Sequence, residues 1–216
     1  MKGPKRSLDV SKIVDAVMEL LDEEPSAAPT LRGVAARLGV RPNTLYTYVP
    51  DRVALEGVVV EHLLELAGPA ALTGGAPWRE RVTGYAMRLR AELLARPGVV
   101  PFFFSGPMSG PNAAAVGEGL LTAFTEGGLR PDDAARAAYT VIVHVLGSAA
   151  LAAADPPGPG ASEAEVLAVL EARRAALAAG PPLTAATAAT AAAWNSSEQA
   201  EWGINRLIDG CIGSLP

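Results

Sequence analysis

Apolar residues recur at three- and four-residue intervals along most of this chain, and the runs are cut by Gly and Pro rather than by alternating polar positions. That period belongs to helices buried along one face, whereas a half-buried strand alternates every two residues. Val10, Ile13, Val14, Val17, Leu20 and Leu21 predict a first helix behind Asp9, a good N-cap, and the acidic run before Pro25 ends it. Thr30 caps a short second helix, Leu31 to Leu38, stopped by Gly39, a residue that tolerates the left-handed conformation. Pro42 suits the first turn of a third helix through about Val49. Pro50 and Asp51 interrupt again before a longer helix from about Arg52 to Ala67. Composition agrees: 50% of the residues are hydrophobic but only 5% are aromatic, so the apolar content is mainly Ala, Leu and Val, which favours helices over twisted sheets. The expected fold is all-α.

The stretch Gly68 to Pro77 (GPAALTGGAP) is rich in turn formers and marks a boundary. We therefore divide the chain into an N-terminal unit, residues 1–50, a linking helix and loop, 51–76, and a larger helical body, 77–216. Within the body, helices are expected at about Trp78 to Ala95, Val99 to Phe104, Asn112 to Glu126, Pro131 to Ala154, Ser162 to Ala179 and Ser196 to Gly213. PPGPG at 156–160 reads as a flexible connection, and TAATAATAAA at 184–193 as an Ala-rich helix or a mobile strap.

Ala137 to Ala154 lacks Asp, Glu, Lys and Arg and approaches the length of a membrane span. Its Tyr139, Thr140, His144, Gly147 and Ser148, and its reliance on Ala, make transfer into lipid weakly favourable at best. A soluble helix covered on several sides is the expectation. One cysteine, Cys211, forms no internal disulfide, and MKGPKRSLDV has no apolar run of a signal peptide, so a cytoplasmic protein is expected.

The net charge of −5 is unevenly spread. Residues 1–12 hold Lys2, Lys5, Arg6 and Lys12 against Asp9, and residues 30–52 hold Arg32, Arg37, Arg41 and Arg52 against Asp51. Acidic residues gather between them, at Asp15, Glu19, Asp22, Glu23 and Glu24. Local sign decides whether a surface approaches phosphates, so the N-terminal unit remains compatible with nucleic acid.

A helix-turn-helix needs small residues where its helices cross, a Gly at the turn and apolar residues that lock the second helix onto the first. Val34, Ala35, Leu38, Gly39, Val40 and Leu45 fall at those places. IVDAVMELLDEE followed by TLRGVAARLGVRPNTLYTYVPDRVAL resembles the DNA-binding domain of the tetracycline-repressor family over residues 8 to about 60. A weaker resemblance to the tetracycline-repressor branch extends through WRERVTGYAMRLRAELLARPG, GPN, AFTEGGLRPDDAARA and EWGINRLIDG. The resemblance implies a two-domain dimer with a helix-turn-helix, a linking fourth helix and a ligand-sensing body, acting as a repressor released from DNA by a small molecule.

In that pattern Arg32 makes a bidentate contact to guanine, and Asn43, Thr44 and Thr47 reach base edges or a thymine methyl. Thr30, Tyr46, Tyr48 and Arg52 are placed for phosphates, which set register without reading sequence. Plainer readings stand beside these: Thr30 as a cap only, Tyr46 as core, Arg52 as a solvated charge. Arg41 occupies an N-cap position where Ser or Thr is usual, a cost of about 1 kcal/mol. It is either a DNA contact or a tolerated surface charge. Lys2, Lys5 and Arg6 read as a solubilising tail or as phosphate and minor-groove contacts.

Pro131 to Ala154 combines small residues with Val141, Ile142, Val145 and Leu146 on several sides, and the last helix offers Trp202, Ile204, Leu207, Ile208 and Ile212. The resemblance places both in a four-helix dimer bundle, and a monomer would leave a large apolar patch wet. A twofold homodimer matches a palindromic operator, an inverted repeat.

Polar residues in apolar surroundings point to a ligand pocket. His144 and Tyr85 are the first candidates, with Asn112 behind them, and Leu89, Phe102, Phe103, Phe104, Met108 and Trp194 as the wall. Each also has a packing reading, because a lone His or an aromatic cluster is more often core. The tetracycline-sensing members hold a magnesium–drug chelate with a His and a Glu at places taken here by Phe103 and Leu151. Neither ligates magnesium, so the expected effector is a mainly apolar organic molecule bound without metal or cofactor.

An enzyme is the main rival reading. His62, His144 and Cys211 make no zinc cluster, and G-x-S-x-G and P-loop sequences are missing. GEGLLT at 117–122 misses the dinucleotide fingerprint. A second rival is an architectural DNA-binding protein without ligand control, which a closed, dry body would favour.

Overall fold

A computed structural model describes residues 8–105, 108–155, 157–158 and 161–213. Lys2, Lys5 and Arg6 lie outside them. Among the described residues the chain is helical throughout, in the order α1 (Val10–Glu23), α2 (Leu31–Arg37), α3 (Pro42–Leu45), α4 (Arg52–Leu66), α5 (Trp78–Ala95), α6 (Pro111–Glu126), α7 (Pro131–Ala154), α8 (Glu163–Ala178), α9 (Pro182–Ala186), α10 (Ala188–Ala192) and α11 (Ser197–Ile212). Two 3₁₀ segments, Pro69–Thr73 and Pro97–Phe104, flank α5.

The caps follow from local chemistry. Asp9, Thr30 and Asp51 accept hydrogen bonds from the backbone N–H of Lys12, Gly33 and Ala54, which satisfies donors that the first helical turn leaves open. Gly39 stands at φ +64°, where a Cβ would be strained. It lets Val40 N–H donate to Ala35 O and Gly39 N–H donate to Ala36 O, the paired bonds that close a helix and turn the chain. The third helix is shorter than the expected Pro42 to Val49. It is regular to Leu45, and tighter turns carry the chain to the buried Val49. The expected helix at 99–104 is a 3₁₀ segment beginning at Pro97, since Pro101 donates no backbone hydrogen bond.

α1, α2, α3 and the start of α4 enclose Ile13, Val17, Leu21, Val34, Leu45, Val49 and Leu55. In the body, α5 packs against α4, α6, α7 and α11, around Tyr85, Leu89, Leu93, Phe124, Val145 and Ile204. α7 is long and apolar enough to cross a membrane, yet Ala134, Ala137, Val141, Val145 and Ala149 face this core. The turn-rich stretch after α4 is anchored rather than free: Leu72 is fully buried, and a Cβ on Gly119 of α6 would lie 2.6 Å from it. Residues 184–193 form parts of the two short helices α9 and α10, packed on α8.

The two regions touch beyond α4. Gly98 N–H donates to Pro25 O at 2.8 Å, and a Cβ on Gly98 would stand 2.5 Å from Ala27 O. Arg96 pairs with Asp22 at 2.9 Å. The loop between α1 and α2 therefore rests directly on the 3₁₀ segment of the body.

Candidate nucleic-acid interface and effector groove

Leu45 and Val49 anchor the recognition helix and its following turn, and the residues between them point outward. Arg41, Asn43, Thr44, Tyr46, Thr47 and Tyr48 are all exposed, as are Thr30 and Arg32 on the neighbouring helix. Tyr46 is therefore surface, not core. Thr30 is a cap as well as a surface residue, and Arg41 provides no cap hydrogen bond to α3.

Two of the four arginines counted toward local positive charge are engaged elsewhere. Arg37 bonds to Glu19 at 3.3 Å and to Glu23, both on α1. That hydrogen bond from Arg37 holds the Glu23 carboxyl below its ordinary value. Arg52, expected at a phosphate, is exposed, and its Nε donates to Glu56 Oε1 at 2.5 Å, with Glu56 buried. The i,i+4 spacing allows the pair, and the burial of Glu56, which spacing does not reveal, gives it a structural role because a buried carboxylate needs a partner. Arg32 and Arg41 form no ion pair among the described residues and remain the surface cations of the helix-turn-helix.

The expected pocket residues are not brought to one cavity. Phe102 and Met108 line a groove of about 450 Å³ between α4 and residues 102–105 and 108–110, with Val53, Val58, Val60 and Glu61. His144 and Trp194 line a second cavity, between α7 and residues 194–200. Tyr85 and Leu89 are buried in the core of α5, Phe103 is buried, and Phe104 is 65% exposed. Asn112 is engaged: its backbone N–H donates to Glu61 Oε2 at 2.7 Å and its side chain donates to Glu61 O at 3.2 Å. Residues alike in type are thus distributed by the fold among the groove, the second cavity, the core, the surface and the start of α6. Phe103 is buried and Leu151 lies exposed on α7, so their side chains serve separate surroundings.

Glu61 was not singled out in the sequence. It closes the N-terminus of α6, accepting also from Ala113 N–H at 3.1 Å, and thereby ties α4 to α6 beside the groove. Its signal was a charge directly after the apolar run Val58 to Val60. The Tyr85 hydroxyl is buried without a hydrogen-bond partner, and burial pushes its pKa well up, with Arg88 opposing and Glu61 adding to the shift. No group of three or more His, Cys, Asp or Glu placed to hold a metal occurs among the described residues.

α7 and α11 pack together and leave an outward apolar stripe. Tyr139, Val143 and Leu151 are exposed at helical spacing on α7, and Trp202 is exposed on α11.

A capped trihelical unit with an outward recognition helix, mounted through α4 on an all-helical body, defines a two-domain helix-turn-helix protein. The model of the tetracyclin repressor-like C-terminal domain matches residues 70–212. The chain belongs to the tetracycline-repressor family. It is 28% identical over 148 residues to the HTH-type transcriptional repressor DrrR1 of Streptomyces coeruleorubidus, a match covering 68% of this chain and 55% of that protein. The chain spans between 55% and 61% of the length of the two curated relatives it matches over the longest stretches. A possible TetR family transcriptional regulator from Streptomyces coelicolor A3(2) superposes with a TM-score of 0.76 at 27% identity, covering 96% of this chain and 100% of that one. The Streptomyces coelicolor protein ActR, in complex with actinorhodin, shares the fold, with a TM-score of 0.80 at 23% identity over 98% of this chain and 97% of its own.

Proposed function

We propose that this protein is a homodimeric transcriptional repressor that binds an inverted-repeat operator through α2 and α3 and is released by a mainly apolar organic effector in the α4 groove. The observation that carries this reading is that α4 does two things at once. Its first turn follows the recognition helix, and its flank forms a wall of the groove. Arg32, Asn43, Thr44 and Thr47 read bases, while Thr30, Arg41, Tyr46 and Tyr48 hold phosphates. The protein works in the cytoplasm, where its operator is, and does not catalyse a reaction.

The groove suits an apolar molecule because its carboxylates are already satisfied, Glu56 by Arg52 and Glu61 by the start of α6. Wedging α4 away from Phe102 shifts the recognition helices relative to each other, because α4 carries them. Release requires tighter binding to the shifted conformation, since equal affinity for both moves nothing. The names of the relatives favour repression over an architectural role, and the groove is the feature that an architectural protein has no use for.

Selection of bound fragments from genomic DNA with the purified protein should return an inverted repeat. A compound screen for release from that operator then identifies effectors. A Cβ on Gly57, which lines the groove, meets nothing within 4 Å, so Gly57→Phe starts from open space and adds a ring at the groove wall. This variant should keep operator binding and resist release. Release unchanged in Gly57→Phe would move the effector site elsewhere.

A further inference from the structure

Arg90 on α5 is 2% exposed, yet its hydrogen bonds go to neutral groups. Nε donates to Ser148 Oγ at 3.3 Å, Nη1 to Ser197 Oγ at 3.2 Å and Nη2 to Asn195 O at 2.7 Å. The other shielded arginines of the body have carboxylates: Arg81 pairs with Glu126, and Arg173 pairs with Asp155 at 2.6 Å. Arg90 has no ion pair among the described residues. A cation taken out of water without a counter-charge is costly, and burial alone pushes its pKa down with nothing opposing.

Arg90 also lines a cavity of about 290 Å³, together with His144, Ser148, Leu151, Trp194 and Gln199. Asp and Glu are missing from that lining. The walls are otherwise well held. His144 Nε2–H donates to Ala200 O at 3.2 Å, with its ring against Gly203, and Arg173 lies 4.7 Å from the centre of the Trp194 ring. The site thus combines a buried guanidinium, a fork that matches a carboxylate bidentately, with half-open apolar surface at Trp194 and Leu151. Its size is at the low end of small-molecule sites. It shares no lining residue with the α4 groove.

We propose that this cavity between α5, α7 and the start of α11 binds an organic carboxylate, its acid group paired with Arg90 and its ring or chain laid on Trp194 and Leu151. The site is additional to the effector groove and does not depend on it. A carboxylate there supplies the missing counter-charge, whereas a neutral molecule of the same shape leaves Arg90 as it is.

The test uses the full chain and two probes of equal shape, 2-naphthoate and 2-naphthalenemethanol, titrated by calorimetry and by Trp fluorescence. Sedimentation accompanies each titration, because Leu151 also belongs to the apolar stripe of α7. Naphthoate should bind at least about tenfold more tightly than the alcohol, the scale of one charge-assisted hydrogen bond. Gln199→Glu, an isosteric change that places a carboxylate in the cavity, should weaken naphthoate by about tenfold or more. Arg90→Gln should abolish the preference for the acid. Gly57→Phe should leave naphthoate binding intact, which separates this site from the groove. The proposal is overturned if naphthoate does not bind at millimolar concentration, if the alcohol binds equally well, or if Gln199→Glu leaves naphthoate unaffected. Loss of naphthoate binding in Gly57→Phe would overturn it too.

Discussion

Residues 30–48 send Arg32, Asn43, Thr44 and Thr47 outward from two short helices and the turn after them, whereas α4 and the body draw Glu61, Tyr85 and Arg90 inward among apolar neighbours. In the first region a polar side chain is available because it lies away from the face that Val34, Ala35, Leu45 and Val49 bury, a placement settled within a few residues. In the second, what a polar side chain does depends on which distant segment meets it. Glu61 finds the N-terminus of α6 fifty-one residues away, and Arg90 finds Asn195 across 105. Surface function in the small domain is therefore local, and site chemistry in the body is long-range.

The strongest challenge to that contrast is the proposed dimer, in which the body would control the performance of the helix-turn-helix. Val143 stands in the exposed stripe of α7, and Val143→Asp should convert dimer to monomer in sedimentation at micromolar concentration. Losing the second recognition helix should cut operator affinity by about a hundredfold or more. Unchanged sedimentation would place the dimer seam elsewhere. Next in size is Phe124→Ala, which empties a fully buried site in the body and should cost about 3–5 kcal/mol in urea unfolding. Because α4, the Gly98–Pro25 hydrogen bond and the Arg96–Asp22 pair join the regions, protection from hydrogen exchange in α1 should fall with it. Protection retained in α1 would mean that the two regions unfold independently.

Arg32 and Arg52 sharpen the comparison within the small domain. Arg32→Ala should cost about 1–3 kcal/mol at one base position while leaving the melting temperature almost unchanged. Arg52→Ala strands the buried Glu56 carboxylate and should lower the melting temperature whether or not DNA is present. A melting temperature unmoved by Arg52→Ala would return Arg52 to the phosphate role.

The smallest effect concerns acid. The hydrogen bond from Arg37 depresses the Glu23 pKa below its ordinary 4.5, so the folded state holds that proton less tightly than the unfolded chain. Its stabilisation is present above the unfolded value and is lost as pH falls through the lower folded one. Glu23 is exposed, so Glu23→Gln should only slightly flatten the decline of the urea midpoint between about pH 5 and 3. A midpoint in the variant that declines as steeply as in the parent would show that the pair contributes nothing.

The sequence by itself determined the helices, their caps and the outward face of the recognition helix. Those depend on residues a few positions apart: Asp9 with Lys12, Thr30 with Gly33, Gly39 with Ala35 and Ala36. The same locality made α7 legible as a core helix despite its lipid-like composition. Only the tertiary structure decided that Arg37 is paired with α1, that Glu56 beside Arg52 is buried, that Glu61 belongs to α6, and that His144 and Phe102 line different cavities. The physical reason is that cavities and charge pairs are made where segments from different helices meet, and periodicity along one helix identifies a buried face without naming what covers it.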